Sequence, residues 1–204
     1  MLKNIVYAIF LGVGMAACLS QNADEEGTQA EQVTEQVAGS DEQPVTTPAP
    51  EHFVIQKGQV GNIKIGMPVD DVRNNVIPGF AIADTTLSLE GQAFTAYNLH
   101  VPDQAKGIMI EQQCDTGCQV WRINVKHPDF KTAKGIGPGS KYSEVQQFYP
   151  IQTVILADGG LVAVSSEAGM SFVLDSSQIP ATQRSKLTPA TVPANTLVKS
   201  ILIY

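Results

Sequence analysis

Positive charge is scarce in this sequence. Of 204 residues only 13 are Lys or Arg, and none falls between Lys3 and Lys57. Residues 19–52 hold eight carboxylates (Asp24, Glu25, Glu26, Glu31, Glu35, Asp41, Glu42, Glu51) and no basic neighbour, whereas from Phe53 onward 12 acidic and 12 basic residues balance. The net charge of −7 therefore belongs to the front of the chain, and the remainder is neutral. A neutral body has nothing to set against a phosphate backbone, so nucleic acid is not an expected partner. Long apolar runs are missing too. The stretch 5–17 is shorter than the about 20 residues that a membrane-spanning helix needs.

Catalytic signatures are equally sparse, and neither a catalytic residue nor a cofactor or metal is expected. The three histidines, His52, His100 and His127, have no helical i, i+4 partner and no metal-ligand spacing. Ser165 and Ser166 lie in "VAVSSEAG", not in a G-x-S-x-G elbow. Asp70, Asp71 and Glu144 form a candidate carboxylate set, but acidic residues in a first helical turn more simply complement the helix dipole. "KGIGPGSKYSEV" (134–145) has the glycines of a phosphate loop in the wrong order. Such a loop needs Gly-Lys followed by Ser or Thr, and here Ser140 precedes Lys141.

What is present starts with an address. "MLKNIVYAIFLGVGMAACLS" has a basic start, an apolar run and small residues before a cysteine. It fits a secretory signal over 1–17, and "MAAC" resembles the bacterial lipobox. That resemblance implies lipidation of Cys18 and a membrane partner through the lipid anchor, with a place in the bacterial cell envelope at the outer membrane. A cleaved signal with an incidental cysteine is the alternative. Residues 18–52, rich in Gln, Glu, Thr, Ala and Pro, cannot bury enough apolar surface to offset their ordering entropy and read as a disordered acidic tether. "QNADEE" also resembles the acidic export signals of some surface lipoproteins of Bacteroidota; plain tether acidity accounts for it as well.

The glycine stretch has a twin. "GNIKIGMPVDDVRNNVIPG" (61–79) and "KGIGPGSKYSEVQQFYP" (134–150) align at an offset of 73, matching Ile63 with Ile136, Gly66 with Gly139 and Val72 with Val145. Val69, Val72 and Val76, like Tyr142, Val145 and Tyr149, have the i, i+3, i+7 spacing of one helix face. Ser140 is a candidate N-cap, and Pro78 and Pro150 are candidate stops. After each helix comes strand, glycine turn, strand (87–101 and 153–167), then "KGIMIEQQ" beside "AGMSFVLD", and "VWRINVK" beside "LVKSILIY". The expected fold class is thus α+β, with two tandem repeats (53–131 and 132–204), each a short helix followed by an antiparallel β-meander, packed as one unit. In this pattern Trp121 alternates with Ile123 and Val125 and is expected in the core.

A short "I-x-x-G-M/S-x-x-x-E/D-V" helix before an antiparallel meander, behind a lipobox, resembles the small outer-membrane lipoproteins of the SmpA/OmlA (BamE) type. It also resembles the fold of β-lactamase-inhibitor proteins. The resemblance implies a binding module rather than an enzyme. It transfers no functional residue, because the matching positions Gly66, Val72, Gly139 and Val145 are structural.

Cys114 and Cys118 flank the turn formers Asp115, Thr116 and Gly117, so cross-strand neighbours at a hairpin end are expected to form a disulfide in an oxidising compartment. The expected function is non-catalytic recognition of an envelope or surface protein, in envelope assembly or enzyme inhibition. Asp115 and Thr116 at the stiffened tip, and Arg122, Asn124 and Lys126 on the solvent side of the next strand, are the candidate contacts. The alternative is an envelope hydrolase or small-ligand carrier with its site between the repeats, marked by a cleft of convergent polar groups with a perturbed His100 or His127.

Overall fold

A computed structural model describes residues 50–89, 91–157 and 160–204; the expected signal peptide, Cys18 and nearly all of the tether lie outside the described residues. Runs of Val, Ile, Thr and aromatics broken by glycine turns form the strands, which are the main regular structure among the described residues. β4 (Ala81–Leu89), β5 (Gln92–His100), β6 (Ile108–Cys114) and β7 (Cys118–Val125) follow one another as an antiparallel meander. So do β9 (Thr153–Ala157), β10 (Gly160–Ser165), β11 (Met170–Leu174) and β12 (Val198–Ile203). β12 pairs with β7, setting Ile201 opposite Val125 and Ile203 opposite Ile123, and one eight-stranded sheet results, in the order β4-β5-β6-β7-β12-β11-β10-β9.

A second, smaller sheet has the order β3-β2-β1-β8. It contains β1 (Val54–Gln56), β2 (Gln59–Val60), β3 (Ile63–Lys64) and β8 (Lys131–Thr132), the last running parallel to β1. The helices are α1 (Val69–Asn74), α2 (Tyr142–Phe148) and α3 (Ala181–Arg184).

The α+β repeat layout does not hold. The protein is mostly β, in two sheets of four and eight strands, with three short helices among the described residues. The physical reason lies in helix length. α1 and α2 have six and seven residues, so Val76 and Tyr149, expected on the same helical faces, fall beyond their ends. Two turns cannot form a layer over eight strands; they serve as plugs. Residues 54–64 meanwhile pair as strands where no strand was expected.

Both plugs are held alike. Gly66 (φ 80°) and Gly139 (φ 91°) take the left-handed conformation that only glycine adopts without strain. The Gly66 N–H donates to Val120 O (2.7 Å) and Val120 N–H to Met67 O (2.9 Å), while Gly139 N–H donates to Val198 O and Val198 N–H to Ser140 O, both at 2.8 Å. The glycines thus turn the chain from strand contact into a helix. Ser140 is not the N-cap: its Oγ accepts from Gly137 N–H, and the cap is Lys141, whose N–H donates to Glu144 Oε2 at 2.7 Å. Glu144, expected only to complement the helix dipole, also caps the helix through this bond.

The core lies between one face of the large sheet and these covering elements. Ile55, Val60 and Ile63 of the small sheet, Val72 of α1, and Tyr142 and Val145 of α2 pack in one cluster with Leu99, Ile108, Ile123, Phe172 and Ile201. Burial lifts the Tyr142 phenol above its ordinary pKa, and its hydroxyl donates to Pro189 O at 2.9 Å.

Candidate functional site

The other face of the large sheet is open among the described residues. Along the strand registers its residues run in rows, one of which crosses all eight strands as Ala83, Asn98, Met109, Asn124, Leu202, Ser171, Val164, Thr153. Over this face lies a groove of 1190 Å³ whose lining spans the sheet from Leu87 and Phe94 on β4 and β5 to Ala157 and Val162 on β9 and β10. Strands at opposite ends of the sheet border one space, so the sheet curls around it, as twist accumulated over eight strands requires.

Charge sits at the middle of the groove and apolar surface on its flanks. Glu111 on β6 and Arg122 on β7 are cross-strand partners; Arg122 Nε and Nη2 both donate to Glu111 Oε2, at 3.0 and 2.6 Å. Asn124 lies next along β7, and its Oδ1 is shielded from solvent with no hydrogen-bond partner among the described residues. Lys126 and Lys106 follow, then Lys199 and Asp175. The Ser177 N–H, 3.0 Å from Asp175 Oδ1, holds that carboxyl below its ordinary pKa, with Lys199 contributing less. Four cationic side chains face two carboxylates, so the groove carries an excess of positive charge within a neutral body. Val173, Val162, Leu202 and Phe94 supply the apolar walls.

Of the five candidate contacts, Arg122, Asn124 and Lys126 meet in this groove, and Asp115 and Thr116 do not line it. The latter pair occupies the β6–β7 turn, where Cys114 and Cys118 are directly opposite and disulfide-bonded, with Cα atoms 4.0 Å apart.

Trp121 is not in the core. A bulge sets Glu111 opposite Arg122 but Gln112 opposite Val120, so Trp121 is the extra residue, 46% exposed, with Arg122 above its ring at 5.6 Å. One inserted residue reverses the alternation that predicted its burial.

The histidines are not among the groove residues. His100 is half-buried, its Nδ1 3.4 Å from Asn98 O. His127 is buried among Phe53, Phe80 and Phe130 (ring centroids 5.5–6.4 Å). Asp129 N–H donates to Nδ1 at 3.4 Å, so Nε2 carries the proton and donates to Gln104 Oε1 at 3.1 Å. Desolvation lowers the His127 pKa, and Asp129 offsets part of the change. This is a neutral structural histidine that packs Phe53, just before β1, and Phe80 against the segment after β7.

Phe94, Glu111, Val162, Val173 and Leu202 are groove residues that sequence reasoning missed. Glu111 alone left a signal, a lone charge after the apolar run "IMI". The valines sit on strands apolar on both faces, which read as core throughout.

No protein-family model matches the chain, and no curated protein matches it. Among solved structures it is similar to the uncharacterized protein yfeY from Escherichia coli, with a TM-score of 0.55 and 14% identity, over 74% of this chain and 98% of that one. At that identity the likeness concerns the fold alone.

Proposed function

We propose that the protein is a non-catalytic recognition module of the bacterial envelope, held to the membrane through lipid on Cys18, and that its binding site is the groove on the open face. The occupant is an extended segment of an envelope or surface protein that carries apolar and acidic side chains. One observation carries this reading: Arg122, Asn124 and Lys126 converge on a groove with excess positive charge and apolar walls. Apolar area supplies affinity in such a site, while charge complementarity sets register and excludes cationic competitors.

The test is a photo-crosslinking amino acid placed at Phe94, which lines the groove and is 41% exposed, in the full chain in its native membrane. A discrete protein adduct is expected, and Lys126→Glu should reduce it at least tenfold. The same crosslinker at Thr116 serves as the comparison. An adduct at Thr116 that survives Lys126→Glu, with none at Phe94, returns the contact to the disulfide-bonded tip and overturns the groove.

A small-ligand carrier is the second reading, favoured by the 1190 Å³ volume, which reaches the size of small-molecule sites. Native mass spectrometry of the purified chain distinguishes the two. A bound amphiphile that Val173→Asp removes supports the carrier.

A further inference from the structure

We propose that the free edge of β9 pairs with β9 of a second copy of this chain, joining two large sheets antiparallel about Ile155. The large sheet has two edges, and they are guarded differently. β4 carries Asp84, which shares a register position with Tyr97 and binds Arg73 at 2.7 Å in an exposed ion pair; a charge on an edge strand disfavours strand addition. β9 reads Thr-Val-Ile-Leu-Ala, with no charge and no proline. Ile155 and Leu156 are 46% and 56% exposed, and among the described residues β9 is bonded only to β10. An apolar, uncharged edge is a template for another strand.

The same composition selects the occupant. A partner steered by charge finds no counterpart on β9, while an identical uncharged strand meets it without repulsion. The two-fold register puts Ile155 opposite Ile155 of the second copy, Val154 opposite Leu156 and Thr153 opposite Ala157. Paired residues point to the same side, so covered face continues into covered face and open face into open face. Leu156 gains an apolar neighbour in Val154 of the second copy, which removes its exposure. Such an interface is self-complementary, as a two-fold contact must be. Two five-residue strands bury little surface, so the dimer forms and dissociates with concentration.

The experiment uses the full chain in its membrane with single cysteines introduced at the edge. Directly opposed residues lie about 4.5–5.5 Å apart at Cα, within disulfide range. Under mild oxidation Ile155→Cys should give a reducible covalent dimer at several times the yield of Thr153→Cys, which faces Ala157 rather than itself. Ile155→Lys, which sets two cations directly opposite, should abolish dimer capture by an amine-independent crosslinker. Monomer throughout, or equal yields from Ile155→Cys and Thr153→Cys, overturns the proposal. Because Ile155 is not a groove residue, loss of partner adducts at Phe94 has no bearing on this result.

Discussion

On the covered face of the large sheet, the row Ile82, Leu99, Ile108, Val125, Ile201, Phe172, Ala163, Val154 is apolar from edge to edge, and its six central members are 0% exposed. One residue further along the same strands, the row from Ala83 to Thr153 alternates between amides, hydroxyls and apolar groups, and most of it is half-buried or exposed. The strands and their hydrogen bonds are shared; only the covering differs. Helices and a small sheet close one face, while the other remains a curled surface with a central charge pair. The first face holds the fold together, and the second is the one on which we propose that a partner binds.

Substitutions should separate the two faces in graded steps. Phe172→Ala on the covered face removes a fully buried ring that packs on Tyr149 at 5.5 Å. It should cost about 3–5 kcal/mol in denaturant unfolding. A cost below 1 kcal/mol, on the scale of a surface site, would remove the distinction between the faces. Arg122→Met on the open face leaves Glu111, 8% exposed, without its cation. A loss of about 1–3 kcal/mol is expected there, because an unpaired and partly desolvated carboxylate remains. Restoration by Glu111→Gln in the same chain would identify the charge, rather than packing, as the cause.

Residues 126 and 127 sharpen the comparison, since they are adjacent and serve opposite faces. His127 is neutral in the fold, with its pKa lowered from 6.5 by desolvation. The unfolded chain therefore takes up the proton first as pH falls. Its contribution to stability is complete above about pH 6.5 and declines below that value toward the folded pKa. Thermal unfolding at pH 7.5 and pH 5 should show a drop for the native chain and a smaller one for His127→Phe. Equal drops would mean that other groups set the acid sensitivity. Lys126→Glu, next door in the groove, should change stability by less than about 0.5 kcal/mol while weakening partner capture.

Sequence reasoning reached some features and missed others for identifiable reasons. The strand–turn–strand stretches, the paired Cys114 and Cys118, and the structural role of Gly66 and Gly139 follow from local chemistry: alternation, turn formers, and the backbone freedom of glycine. Arg122, Asn124 and Lys126 shared a face by period-two spacing, so their convergence was legible even though the groove was not. Trp121 was misread because a bulge is a relation between two strands, invisible on one. The α+β assignment failed because a helical spacing says nothing of helix length, and here both segments stop after two turns.

Local physics thus determined where strands begin, which of their residues share a side, and where the chain turns, since these depend on neighbours a few positions apart. The tertiary structure decided the rest. Pairing of β7 with β12, which are distant in sequence, made one sheet of eight strands, and the packing of short plugs on one side chose which face became core. Val162 and Phe172 look alike as letters in apolar strands. Only the placement of α1, α2 and the small sheet makes Phe172 core and leaves Val162 as the wall of a groove.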